Sequence, residues 1–266
     1  MSLPAIQIEG LRVEAGSRRI LEVERLVVGS GEVVAVMGPN GAGKSTLLRA
    51  CLGMQGGVSG RVSVLGQAVG RLNHVALTRL RRSIGYVPQA LPARSQMPLT
   101  VREVVSIGCA GRAGLFRPMS RADKQAVEEW MERLGIADLA GRAFHEISGG
   151  EQRKAVIARA MAQEPRVVLL DEPTANLDLG WRERMVETVQ SLCVKSDLAV
   201  VLVCHELEVL PPGCRRVVLL NRGRVVGAGE PQDVFTEQRI IELFGPGLMA
   251  IHRGNRHAVI PVGGAA

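Results

Sequence analysis

Rings are scarce in this chain of 266 residues: two Trp, one Tyr and four Phe, 3% in all. So few aromatics argue against a base-stacking platform of the kind that holds single-stranded nucleic acid. There is no C-x-x-C pair. The five cysteines (Cys51, Cys109, Cys193, Cys204, Cys214) are scattered, and an odd number without metal spacing points to reduced, packed thiols rather than a disulfide framework or a zinc site. No apolar run approaches the roughly 20 residues that a membrane helix needs, and Met1-Ser2-Leu3-Pro4 does not begin a secretory signal. The expectation is a cytoplasmic protein. Acids are outnumbered, 26 against 33 Lys and Arg, for a formal charge of +7, with Arg79, Arg81 and Arg82 in one cluster. Nucleic acid or an anionic membrane would suit that charge. Without basic–aromatic alternation it reads instead as a solvated basic face, so nucleic acid is not an expected partner.

What is present is apolar patterning. At 46% hydrophobic the chain has the material for a substantial core. Ile6–Glu9 and Ile20–Val28 alternate loosely and read as antiparallel strands. Val33–Met37 is a uniform apolar run, a buried strand, and Thr46–Leu52 continues as helix. Residues 56–60 read as a turn, followed by short strands at 61–65 and 84–87. From Thr100 to Gln163 the period becomes helical. Val101, Val104, Val105 and Gly108 share one face, as do Ala126, Val127, Trp130, Met131 and Leu134, and Ser120 is placed to cap the second helix. A helical block inside a strand–helix alternation reads as an insertion between core strands. Val167–Leu170 and Leu198–Val203 are apolar throughout, as strands covered on both faces are. Trp181–Val194 is helical, and 216–226 reads as a hairpin turning at Asn221-Arg222-Gly223. The Gly- and Pro-rich segment after Phe244 gives no clear pattern.

Between the first buried strand and its helix stands Gly38-Pro39-Asn40-Gly41-Ala42-Gly43-Lys44-Ser45-Thr46, which fits G-x-x-x-x-G-K-[ST] at every fixed position. Glycines let successive N–H groups face one concavity, and the helix adds its unpaired N–H groups and positive dipole end. Lys44 brings a charge to terminal phosphates and Ser45 offers a hydroxyl to Mg²⁺. The stretch is a nucleoside-triphosphate site.

Four further sites bear on its use. Asp171 and Glu172 end a buried strand, where ligands gather in open α/β sheets. Asp171 suits the Mg²⁺ shell and Glu172 the polarisation of an attacking water, the alternative being two solvated strand-end acids. His205 ends the next apolar strand, placed either as a structural histidine or as a contact to the γ-phosphate. Ser148-Gly149-Gly150-Glu151 precedes a helix. It reads as a capping box, and its glycines also let a phosphate approach the helix end. Gln89 follows the strand 84–87 and is long enough to reach Mg²⁺ or water.

In this order, Gly38–Thr46, Gln89, Ser148–Gln152, Leu170–Glu172, Ala175–Asp178 and His205 resemble the motifs of an ABC transporter ATPase, over about residues 5 to 240. The resemblance implies an α/β P-loop NTPase fold with a RecA-like parallel core, an antiparallel β subdomain and an inserted helical subdomain. It implies a core at about 1–90 and 165–244, a helical subdomain at about 91–164 and an extension over 245–266. It also implies ATP and Mg²⁺ as ligands, with Ser45, Gln89 and Asp171 toward the metal, Glu172 as base and His205 as switch. A head-to-tail dimer would bring Ser148–Glu151 and Asp178 to the nucleotide of the other chain. The implied partners are a membrane permease and, indirectly, a substrate-binding protein, with the chain held at the inner face of the cell membrane. Arg82–Gln89, Val101–Gly108, Gly227–Pro231 and the ending 251–261 are similar to ATPases of metal and metal-chelate importers (zinc or manganese, ferric siderophore, haem, cobalamin). Another cargo, a non-transport ABC ATPase that remodels a nucleic-acid or protein assembly, and a nucleotide-dependent clamp are the other readings. His252 and His257 read as solvated tail residues rather than a metal sensor. Three departures stand out: Glu14–Arg18 offers no aromatic for the base, Gln152-Arg153-Lys154 stands where the family more often has Gln-Gln-Arg, and Cys204 stands where Thr is usual.

Overall fold

The computed structural model describes residues 3–90, 99–113, 118–175, 177–193 and 197–262, with the side chains of 112, 113 and 193 left aside. The latter part of the loop after Gln89, Asn176 of the Ala175–Asp178 motif and the side chain of Cys193 therefore lie outside it.

Five short strands whose residues are almost all apolar make the centre of the sheet: β3 (Val33–Met37), β6 (Ile84–Val87), β7 (Val167–Asp171), β8 (Ala199–Cys204) and β9 (Arg216–Asn221). They pair in parallel in the order β9-β3-β8-β7-β6. Their side chains alternate between two cores. Val167, Leu169, Val201 and Val203 face one, which also holds Leu47 and Leu48 of α1 (Lys44–Cys51). Val168, Leu170, Val200 and Leu202 face the other. A strand buried on both faces has no polar alternation to show, which is why these runs read as uniform.

The antiparallel strands do not form a separate sheet. β1 (Ile6–Ala15), β2 (Arg18–Val28), β4 (Val58–Val64) and β5 (Gln67–Ala68) continue the central sheet through β10 (Arg224–Gly229), giving ten strands in the order β5-β4-β1-β2-β10-β9-β3-β8-β7-β6. The junction is the pairing of Arg224 with Glu22. Residues 58–60, expected in a turn, belong to β4. Its pairing with β1 shifts register between Glu9 and Arg12, and a Cβ on Gly60 would stand 2.1 Å from the Gly10 carbonyl oxygen. The glycine marks a close backbone crossing, not a chain reversal. The β9–β10 hairpin turns on Arg222 and Gly223, both at positive φ (47° and 78°), the pairing that a two-residue loop between twisted strands favours.

Between β6 and β7 lie α3 (Val101–Ala113), α4 (Arg121–Arg133) and α5 (Gly149–Ala162). The apolar faces read from the sequence, Val101, Val104 and Val105 on α3 and Ala126, Val127, Trp130 and Met131 on α4, are all buried. Ser120 accepts from the Asp123 N–H, and Asp123 accepts from that of Ser120, closing the α4 cap. The helix α2 (His74–Arg81) was not read from the sequence; it is capped by Asn73, which accepts from the Ala76 N–H. Its only fully buried side chain is Leu80, so its apolar stripe is too thin to stand out.

Beyond β10, α6 (Leu179–Cys193) having been passed, come α7 (Pro231–Val234), α8 (Glu237–Phe244) and a hairpin, β11 (Leu248–Arg253) with β12 (Arg256–Pro261). The segment without clear pattern is thus ordered. Leu248, Ala250 and Val259 pack against the main body, Arg256 pairs with Glu183 of α6 at 2.8 Å, and the Val259 N–H donates to Glu208. His252 and His257 are not simply solvated tail residues: they sit opposite one another, their Nδ1 atoms 2.8 Å apart, half-buried. Burial and then the neighbouring ring push the His257 pKa below its ordinary 6.5. Because the neutral ring is favoured in the folded state, this contribution is present above the unfolded pKa and lost as pH falls. Amide exchange corrected for intrinsic rate should therefore show protection of 248–261 falling between about pH 7 and 5, and His257→Gln should remove that dependence. Protection unchanged with pH in the wild type would contradict it.

Candidate functional site

At the C-terminal ends of the parallel strands, β3 turns into α1 through 38–43. Gly38 (φ 145°) has to be bare, since a Cβ there would stand 2.0 Å from the Leu220 carbonyl oxygen. Gly41 and Gly43 are also at positive φ, 78° and 98°. Gly43 caps α1 with no side-chain bond, and the first turn holds no acid. The helix therefore presents unpaired N–H groups and its dipole to a cleft of about 700 Å³. Asn40 to Thr46 line that cleft, together with Gln89, Glu172, Thr174 and His205.

Lys44 is only 5% exposed. Its Nζ donates to the carbonyl oxygens of Gly38 (2.8 Å) and Pro39 (3.1 Å) and stands 3.6 Å from Glu172 Oε1. The ammonium is thus held by the loop's own carbonyls and by the acid that ends β7. Glu172 is 7% exposed and in left-handed backbone (φ 48°), a geometry that costs a non-glycine residue about 1–3 kcal/mol. Its N–H bonded to the Val203 carbonyl (3.0 Å) and its carbonyl bonded to the Ala175 N–H (3.1 Å) hold it there. Three groups surround its carboxylate: Lys44, the Gln89 carboxamide donating to Oε2 at 2.7 Å, and His205 Nδ1 at 3.5 Å from Oε1. Glu172 and Asp171 are accordingly not solvated strand-end acids; both are buried.

Ser45 Oγ donates to Asp171 Oδ1 at 2.9 Å. Burial raises the Asp171 pKa, the Ser45 bond opposes that rise, Glu172 adds to it, and Arg49 and Lys44 also oppose it. A buried carboxylate bonded to a hydroxyl is an all-oxygen donor set, and Mg²⁺ fits it. Gln89, expected in the same shell, donates its carboxamide N–H to Glu172 beside this centre.

The residues of the other group lie apart from the cleft. Ser148 and Glu151 close a capping box on α5: the Ser148 N–H and hydroxyl donate to Glu151 Oε2 (2.8 and 2.7 Å), and the Glu151 N–H donates back to the hydroxyl at 3.4 Å. Those bonds from Ser148, aided by Arg142 and Lys154, hold the Glu151 carboxyl below its ordinary range. Only one of the two glycines is open. Gly149 has nothing near its missing Cβ, whereas one on Gly150 would stand 2.4 Å from the Trp181 ring. The bare Cα of Gly150 thus makes room for Trp181. Lys154 and Arg184 lie over the same ring, 5.5 and 5.1 Å from its centroid. Asp178 caps α6 by accepting the Trp181 N–H at 2.9 Å. Trp181 therefore gathers the exposed Ser148–Gly149 end and the exposed Asp178 loop onto one side of the chain. Its role went unread because the contact spans about 30 residues of sequence.

Beside the phosphate loop a second hollow of about 840 Å³ is lined by Ala15, Arg18, Ile20, Asn40, Asn221 and Arg222, among others. It contains no aromatic ring. Cys51, Cys109, Cys204 and Cys214 are buried. Among the described residues no helix is long and apolar enough to cross a membrane.

Known proteins share this arrangement. The profile of the ABC transporter family matches residues 22–175. A cobalamin import ATP-binding protein of Halobacterium salinarum is 39% identical over 90% of the chain, which spans 58% of that relative's length. A hemin import ATP-binding protein of Streptomyces coelicolor is 40% identical over 88% of the chain and 81% of its own. A phosphonates import ATP-binding protein of Maricaulis maris is 34% identical over 91% of the chain and 94% of its own. Among solved structures, a metal-chelate type ABC transporter in an inward-facing conformation matches 98% of the chain and 99% of its own with a TM-score of 0.80 at 25% identity. The P-loop, the strand-end acids and the helical insertion between β6 and β7 are features of one architecture, and the chain belongs to the ABC transporter family.

Proposed function

We propose that the chain binds ATP in the cleft and hydrolyses it as the ATP-binding subunit of an importer. The observation that carries this reading is the Glu172 carboxylate, buried at the cleft floor within reach of Lys44, Gln89 and His205. When a triphosphate enters, Lys44 transfers its charge from the loop carbonyls and Glu172 to the phosphate oxygens. Glu172 then accepts a proton from a water attacking the γ-phosphorus, a bond forms from that water oxygen to phosphorus, and the bridging bond to ADP breaks. His205 and Gln89 fix the carboxylate and the water. Ser45 and Asp171 would hold Mg²⁺, which supplies charge neutralisation on the phosphates when bound. Positioning and electrostatics provide most of the acceleration in such chemistry.

Two copies, head to tail, would complete the site. Ser148, Gly149 and Asp178 are exposed, Trp181 joins their two segments, and the N-terminus of α5 at Ser148–Glu151 is of the kind that receives an anion. The helical segment of about 91–164 is the proposed contact for a permease, through which the chain would lie at the membrane. A metal ion or metal chelate is the proposed cargo. The hemin and cobalamin relatives and the metal-chelate structure support it, while the phosphonate relative supports another cargo.

Two outcomes test this reading. Glu172→Gln keeps the shape of the site and removes the base, so ATP binding should survive while turnover drops by on the order of 10² or more; near-normal hydrolysis by the purified variant would take the role from Glu172. The ringless hollow at Ala15 and Arg18 leaves the phosphates, common to ATP and GTP, to supply the binding energy. GTP should then be hydrolysed within about tenfold of ATP in kcat/KM, ~1.4 kcal/mol. A preference beyond about a hundredfold would mean that another group reads the base.

A further inference from the structure

Arg153 is 3% exposed and has no acid within ion-pair distance among the described residues. Its guanidinium instead spans two successive carbonyls: Nη1 donates to Pro88 (2.7 Å) and Nη2 to Gln89 (2.8 Å). These carbonyls belong to the backbone that carries the Gln89 side chain onto Glu172. The other end of the lever is stiff. Arg153 stands one turn into α5, behind the Ser148–Glu151 cap and beside Gly150, which is seated on Trp181. The planar fork of an arginine is suited to such a two-point grip; an amide or an ammonium is not.

A buried cation is held here at a cost, since burial lowers the Arg153 pKa and the Asp171 charge opposes that only in part. Its Nε finds no partner among the described residues. A packed helix bearing a buried, only partly compensated charge and an orphan donor needs a reason. The grip on residues 88 and 89 supplies one.

We propose that Arg153 is a positioning residue that ties the backbone of Gln89 to α5, so that the exposed Ser148–Gly149 end of the helix and the Gln89–Glu172 pair at the catalytic centre move as one body. A displacement of α5, by a second copy or by a permease, then reaches the Glu172 carboxylate through a single side chain.

This inference rests on the reading of the chain as an ATPase, and wild-type turnover is the separate check on that reading. The test is a double-mutant cycle on the full chain, with Arg153→Ala and Arg153→Lys each made in the wild type and in Gln89→Ala. Arg153→Ala should lower kcat about tenfold while KM for ATP stays within about threefold, because the phosphate loop is untouched. Arg153→Lys, keeping one donor, should restore part of the loss. In the Gln89→Ala background Arg153→Ala should have no further effect on kcat, as expected of residues acting in series. Amide exchange adds a readout that needs no turnover: residues 84–90 should exchange faster in Arg153→Ala while 38–46 keep wild-type protection. Equal, additive losses of kcat in both backgrounds, or a uniform rise in exchange over the whole chain, would overturn the proposal and leave Arg153 as a residue that only supports the fold. Should Arg153→Ala not fold, the same two comparisons with Arg153→Lys decide it.

Discussion

One buried ammonium constrains much of this molecule. Lys44 is almost wholly removed from water, and a charge so placed must be paired and hydrogen-bonded or it would neutralise. Its partners come from distant parts of the chain: two carbonyls of the loop after β3 and one carboxylate at the end of β7. Satisfying them requires β3 and β7 to end at the same level of the sheet with β8 between them, the arrangement that the parallel pairing produces. It also requires a glycine loop tight enough to bend its carbonyls inward, and a Glu172 backbone held in a left-handed conformation by bonds to Val203 and Ala175. Lys44 and Glu172 both line the cleft. On the proposed function, a triphosphate would replace the carbonyls and Glu172 as the partner of the ammonium and leave the carboxylate to a water.

The same centre is reached both along the backbone and through side chains. Along the backbone, the β6 strand leads directly to Gln89. Through side chains, α5 reaches the same residue by Arg153. Coupling between sites is carried by elements with few ways to rearrange. Here the helix is capped at one end, seated on Trp181, and fixed to the loop at the Arg153 fork. The C-terminal hairpin forms a further link, since Glu183 of α6 and Glu208, three residues beyond His205, both hold it.

Much of the centre was legible because each motif sits where a uniform apolar strand stops. Val33–Met37, Val167–Leu170 and Leu198–Val203 carry no alternation, so they announce strands buried on both faces, and the acid, histidine or glycine loop that follows falls at the ligand end of the sheet. The helical faces of α3 and α4 were legible for the same reason, at a different period. What escaped the sequence is non-local or weakly patterned. The crowding that requires Gly150 to be bare was not legible, because the ring that fills the space, Trp181, lies in another helix. The grip of Arg153 joins residues 64 and 65 apart. α2 buries too little to show a stripe, and β11–β12 carries Gly and Pro at its ends while its inner face, Leu248, Ala250 and Val259, is stabilised by packing on the body. Residues 58–60 read as a turn because glycine marks turns and close strand crossings alike.

On the proposed function, the Lys44 charge would be the principal anchor of the triphosphate. Calorimetric titration of Lys44→Ala with a non-hydrolysable ATP analogue tests it most directly, thermal unfolding showing that the variant is folded. Truncating one partner of a desolvated charge pair costs several kcal/mol, so affinity should fall by about a hundredfold or more, ~2.7 kcal/mol. A folded Lys44→Ala that binds the analogue as tightly as the wild type would contradict the account.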